Sequence, residues 1–295
     1  MITIKEALTK KEMKDYVMFS FELYKNNPYW IPPIIAEELE TFDKTKNPAL
    51  QTAEAHFYLA YKDDKIVGKV AAIINWEEVN LLEKRKVRFG WFDVIDDIEV
   101  TKALLNKVEK LGKKHQMDHM EGPIGFSNLD KVGVLSEGFD QMGNMITWYS
   151  LPYYITHFEQ LGLVKEKEYI ESNFSFSNIN PEPFQKASGL IKKRYELRCL
   201  NFTKTKDIMP YVDKMFDLFN ETYAKLQSFV PINDIQKEYF KKKYIGFINP
   251  EFIKFILDKD DNMIAFAIVM PGFAQALKKA NGKLFPFGFY HLLQA

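Results

Sequence analysis

The sequence predicts an α+β fold built from two related halves, the second of them incomplete. A helix, an aromatic–proline element and a β-hairpin occur in one order twice along the chain. The two hairpin turns, at Asp63-Asp64 and Asp260-Asp261, lie roughly 200 residues apart, as do the helices before them, the mark of an internal duplication. A chain of 295 residues also exceeds one ordinary small domain.

In the first half, Thr9 and Glu12 form a capping box in front of a helix whose apolar stripe is Met13, Val17, Phe21 and Tyr24. Asn26-Asn27-Pro28 ends that helix, and Tyr29-Trp30-Ile31-Pro32-Pro33 follows. His56–Tyr61 and Ile66–Asn75 read as the arms of a hairpin. Val87–Ile95 reads as a third strand, and Val100, Leu104, Val108 and Leu111 mark an amphipathic helix. His119–Gly125 is a short strand entering a loop. Tyr153–Leu161 is a helix closed by Gly162, and Lys167–Phe176 is a final strand. The Asn-, Ser- and Pro-rich stretch 177–183 is the linker candidate. In the second half, Asp207 is placed to cap a helix with the stripe Ile208, Val212, Met215, Phe216, Phe219 and Tyr223. Phe229-Val230-Pro231-Ile232 echoes the aromatic–proline element, and Phe252–Leu257 and Met263–Met270 form the second hairpin.

Composition narrows the function classes. Lys+Arg and Asp+Glu balance at 40 each, so no basic excess points to nucleic acid. Cys199 is the only cysteine, which rules out an internal disulfide or a Cys-based zinc site and fits a reducing cytoplasm. The N-terminus lacks an apolar signal core, and no run is long enough to span a bilayer; peripheral membrane contact stays open. His115 and His119 are four apart, but no acidic third ligand accompanies them and no metal is expected. Nucleophile-elbow, Walker and dinucleotide glycine patterns are absent.

Three places carry candidate chemistry. Asp93 lies in an otherwise apolar strand, where a carboxylate is costly unless partnered. Strict alternation sets it on one face with Phe89 and Trp91, away from Arg88, and it is the first candidate for a general base. The loop 122–140 is long and glycine-rich, as functional loops often are. Its Phe126, Glu137 and Phe139 are candidate acceptor contacts, and Asp140 is a second candidate base. The third place is the pair Tyr153 and Tyr154.

Taken together, Asn27-Pro28-Tyr29-Trp30-Ile31-Pro32-Pro33, Arg88–Asp93, Gly122–Phe126, Glu137–Asp140 and the helix-and-turn Tyr153–Leu163 resemble the GNAT (acyl-CoA N-acyltransferase) superfamily. Within it, the chain is similar to large bacterial GNAT-like proteins with two halves. The resemblance implies two GNAT-like domains, residues 1–180 and a partial 181–295, each a mixed, mostly antiparallel sheet flanked by helices. It implies acyl transfer from acyl-CoA or acetyl-CoA to an amine, with a long-chain amino lipid as the candidate acceptor, in the cytoplasm. Tyr154 would be the acid that protonates the leaving thiolate, with Tyr153 beside the substrate. Val94, Ile95 and Asp96 fall where the third strand enters the turn that holds the CoA pyrophosphate in such proteins. Here that turn, Ile95–Val100, has no glycine and three carboxylates, which cap a helix but repel a pyrophosphate. In the second half the equivalent turn would fall beyond Ala295. The alternative is therefore a non-catalytic lipid- or peptide-binding protein on a degenerate GNAT fold. A transferase using charged tRNA is disfavoured by the neutral charge.

Overall fold

A computed structural model describes all residues except Asn128, Gln227 and Phe247. In chain order the elements are β1 (Ile2–Glu6), α1 (Lys10–Leu23), α2 (Ile35–Thr41), α3 (Ala49–Thr52), β2 (Ala53–Lys62), β3 (Lys65–Asn75), α4 (Trp76–Leu81), β4 (Lys86–Val94), α5 (Ile98–Lys114), β5 (His119–Glu121) and α6 (Tyr153–Gln160). They continue with α7 (Glu182–Arg194), β6 (Arg198–Asn201), α8 (Thr205–Ile208), α9 (Val212–Tyr223), α10 (Asp234–Phe240), β7 (Ile253–Leu257), β8 (Met263–Ile268), α11 (Ala274–Ala280) and α12 (Gly288–Leu293). The chain divides into two units. The first comprises residues 1–164, 227–230 and 271–295; the second comprises 165–226 and 231–270.

The first unit is organised by a five-stranded sheet in the order β1-β2-β3-β4-β5. The first four strands pair antiparallel, and β5 joins β4 in parallel. The Thr9 capping box forms at the start of α1: the Glu12 N–H donates to Thr9 Oγ1 (3.2 Å) and the Thr9 N–H to Glu12 Oε2 (2.9 Å). Asp63 and Asp64 turn the β2–β3 hairpin with φ of 50° and 59°, the left-handed pair of a tight two-residue turn. Every residue of β4 is buried, because the strand runs inside the sheet with helices on both faces. On one face Val70, Phe89, Phe92 and Val94 pack under Val100, Leu104 and Val108 of α5. On the other, Ala71, Ile73 and Trp91 pack with Tyr16 and Val17 of α1 and with Phe42 and Phe57.

A β-bulge interrupts β4. Lys69 pairs with Asp93 and Ala71 with Gly90, so Trp91 and Phe92 together oppose Val70. Trp91 takes the extra residue's strain with φ 44°. The bulge resets the side-chain alternation. Trp91 and Asp93 share the α1 face, whereas Phe89 joins Phe92 on the α5 face, correcting the unbroken period of two read from sequence. Gly90 beside the bulge has no room for a side chain: a Cβ would sit 2.4 Å from the Ile124 carbonyl oxygen.

The second unit holds an antiparallel sheet in the order β6-β7-β8, the counterpart of β1-β2-β3, over a core of Phe202, Ile208, Val212, Phe216, Ile253 and Phe255. Its hairpin turns at Asp260-Asp261, with Asp261 at φ 63°. The architecture is thus two α+β units: a mixed five-stranded sheet flanked by helices, and an antiparallel three-stranded sheet with its own helices. Two local expectations fail. Asp207 lies inside α8 and does not cap a helix. Residues 167–176 form no strand, since no neighbouring strand offers them a ladder, and Tyr169, Ile170, Phe174 and Phe176 are exposed. Among the described residues no helix is long and apolar enough to cross a membrane.

Candidate functional site

The site grows from the bulge. Past it, Asp93 projects from β4 toward α1 and is 1% exposed. Ser20 on α1 and Tyr24 at its C-cap stand one turn apart, so both hydroxyls face the same carboxylate. Ser20 Oγ donates to Asp93 Oδ2 (2.6 Å) and Tyr24 OH to Oδ1 (2.8 Å). From α6, Tyr154 OH donates to Asp93 Oδ1 (3.2 Å) and lies 3.3 Å from Tyr24 OH. Lys69 of β3, 3% exposed, places its ammonium 3.5 Å from Oδ2. Three hydroxyl donors and one cation offset the desolvation of this buried carboxylate. Burial, reinforced by the negative charge of Asp93, pushes the Tyr154 and Tyr24 phenols far above the ordinary tyrosine range, so both remain protonated donors.

Tyr154 also connects the carboxylate to the strand end, since the Val94 N–H donates to its hydroxyl (3.0 Å). Tyr153 OH donates to the Val94 carbonyl (2.6 Å). Both backbone groups of Val94 are therefore engaged within the protein, and the Ile95 N–H donates to the Val67 carbonyl (3.0 Å). At the start of α5, Asp97 accepts from the Glu99 N–H (3.1 Å) and pairs with Lys62 (2.8 Å). Asp96 faces His157 (3.2 Å). This helix start is closed by its own carboxylate and does not fit a pyrophosphate.

Asp93, Ser20, Tyr24 and Lys69 line a small, open-mouthed pocket. Trp30, Trp91, Trp148, Tyr29 and Tyr149 supply aromatic walls, with Glu38 and Lys131 as further polar groups. Trp30 stacks on Tyr24 at 5.2 Å, fixing one wall.

The structure thus brings Asp93, Tyr154 and Tyr153 together with Val94, as candidates found from sequence. Phe126 is buried behind the cavity against Trp91 (5.5 Å). Glu137 and Asp140 are exposed on the loop and outside the cavity lining, so neither meets Asp93. Phe139 is half-buried, and its carbonyl accepts from Tyr149 OH (2.8 Å), joining the loop to a cavity wall. Sequence reasoning missed Ser20, Tyr24, Lys69 and Lys131. Lys69 carried a signal, a lysine inside the apolar run Ile66–Asn75. Tyr24 was read as part of an apolar stripe. Among the described residues no group of three or more His, Cys, Asp or Glu is placed to hold a metal ion.

Asp130, at the root of the loop, accepts from the Ser127 N–H (3.2 Å), and burial pushes its carboxyl up to about 6. A carboxyl raised in the folded state stabilises the fold at acid pH, fully below its unfolded value near 4, and that contribution is lost as pH rises through 6. Asp130→Asn should remove this part of the pH dependence, flattening stability between about pH 4 and 6 in urea titrations.

The first unit's sheet is mixed and mostly antiparallel, with helices on both faces, as expected from the sequence. No family model matches the chain. Protein YghO of Escherichia coli is 27% identical over 291 residues, covering 98% of this chain and 73% of the relative. A bacterial ceramide synthase of Caulobacter vibrioides is 23% identical over 292 residues, covering 97% of this chain and 74% of the relative. Among solved structures, a tandem GNAT protein from the clavulanic acid biosynthesis pathway overlaps 92% of this chain and 76% of its own, with TM-score 0.47 and 9% identity. The acetyltransferase AAC(6')-Iy, in complex with a CoA-based bisubstrate analogue, overlaps 59% of this chain and 99% of its own, with TM-score 0.36 and 14% identity.

Proposed function

We propose that the GNAT unit transfers an acyl group from a thioester to an amine bound in the Asp93 cavity, the amine being that of a long-chain lipid. One observation carries this reading: a buried carboxylate, joined to a protonated phenol, faces an aromatic cavity at the bulge of β4. The name of the Caulobacter vibrioides relative, a ceramide synthase, supports a lipid amine.

The chemistry follows from the hydrogen bonds. The amine nitrogen attacks the thioester carbonyl, its C–N bond forms and the C–S bond breaks. Asp93 takes the proton that the amine releases. Tyr154, hydrogen-bonded to Asp93, gives its phenolic proton to the leaving thiolate and is reprotonated from Asp93. One proton thus moves from amine to thiolate, and both residues return to their starting state. The walls of Trp30, Trp91 and Trp148 exclude water that would hydrolyse the thioester.

The second reading is a binding protein without catalysis, and the self-capped start of α5 favours it. Mass spectrometry of the purified chain incubated with a long-chain amine and an acyl thioester separates the two. Amide product accumulating beyond one equivalent supports transfer; retained amine without product supports the binder and ends the first reading.

A further inference from the structure

Four charged side chains line the cavity, and two of them compensate each other: Asp93 and Lys69. The other two are Glu38 and Lys131. Lys131 makes no hydrogen bond or ion pair among the described residues; its ammonium lies 5.4 Å from the centroid of the Trp148 ring. Glu38 likewise has no ion-pair partner among them. Burial pushes the Lys131 ammonium below the usual lysine range, against the pull of Glu38 and Asp93 and with the push of Lys69. Those carboxylates are thus near enough to be felt, yet neither closes to contact. A half-buried ammonium held on an aromatic face lacks the anion that would replace the hydration it has lost.

We propose that Lys131 is an anion subsite, and that the acceptor carries a carboxylate close to its amine, as an amino acid with an apolar chain does. This rests on reading the cavity as the acceptor site. The amine lies beside Asp93 and Glu38, the carboxylate on Lys131 and the chain along the tryptophans. The zwitterionic head then matches the one free ammonium and the one free carboxylate of the walls, leaving the cavity neutral. A phosphate fits less well: it carries about −1.5 to −2 charge, and a single cation is free to meet it.

Calorimetry on the whole chain with two soluble probes, octylamine and α-aminooctanoate, tests the proposal. The wild type should bind α-aminooctanoate at least about tenfold more tightly, the scale of one charge-assisted hydrogen bond. Lys131→Gln should bring α-aminooctanoate down to the affinity of octylamine. Equal affinities in the wild type, or a preference that survives in Lys131→Gln, overturns the anion subsite. Trp30→Ala reports on the underlying reading. If it weakens octylamine binding while the wild type shows no preference, the cavity stands as the acceptor site and only the subsite falls. If octylamine does not bind, or binds unchanged in Trp30→Ala, both fall together.

Discussion

Asp93→Asn should lower the rate of amide formation about 10²- to 10⁴-fold, the usual contribution of a positioned general base. The single oxygen of the Asn amide can accept from only one side, from Ser20 or from Tyr24, and the amide cannot take a proton from the amine or return one to Tyr154. The same change also strips the buried Lys69 of its counter-ion, and breaking such a pair costs about 3–5 kcal/mol. A variant that is inactive because it is unfolded would be uninformative, so the decisive protein is the double variant Asp93→Asn/Lys69→Met. Removing both charges relieves the unpaired ammonium, and its urea midpoint should recover most of the loss. Its rate should not recover. Single-turnover measurements with a long-chain amine and an acyl thioester, beside circular dichroism of each variant, provide the comparison. Activity returning with stability would show that Asp93 acts as a structural counter-ion and takes no part in proton transfer.

Glu78→Gln should destabilise the first unit by about 3–5 kcal/mol. Glu78 is 1% exposed, and its carboxylate holds Arg88 through Nε (3.0 Å) and Nη2 (2.9 Å) and Lys86 through Nζ (2.9 Å). Arg88 is fully buried, and its other donors reach the carbonyls of Gly125 (3.2 Å) and Ser228 (3.1 Å). Lys86 also pairs with Glu121 of β5. The amide of Gln can keep some of the hydrogen bonds but leaves two buried cations facing a single carboxylate. Replacing an exposed partner such as Glu22, which meets Lys25 on the surface, should leave the unfolding midpoint almost unchanged, because water already screens that pair. An equally small shift for Glu78→Gln would show that water reaches the network.

Local signals carried much of the fold. The Thr9–Glu12 capping box, the aspartate turns of both hairpins and the stripe of α5 are short-range patterns with their own chemistry, and each forms where the sequence sets it. The strand expected at 167–176 failed because residue preference alone cannot supply a partner ladder. In the site, Asp93 and Tyr154 were legible for different reasons: a carboxylate is conspicuous in an apolar strand, and the tyrosine sits in a recognisable helix-and-turn. Ser20 and Tyr24 looked like ordinary members of a helix face, since nothing local tells that their hydroxyls meet a carboxylate some seventy residues later.

By itself, the sequence determined the two hairpins, the capped helix α1, the amphipathic α5 with its acidic start, and the presence of a costly carboxylate in β4. Only the tertiary structure decided which way that carboxylate points. One extra residue at Trp91 shifts the alternation and turns Asp93 toward α1, to meet Ser20 and Tyr24 there and Lys69 of β3. Helical and strand periods are set by neighbouring residues, but a bulge is fixed by what both faces of the sheet must pack against, and that is a property of the whole fold.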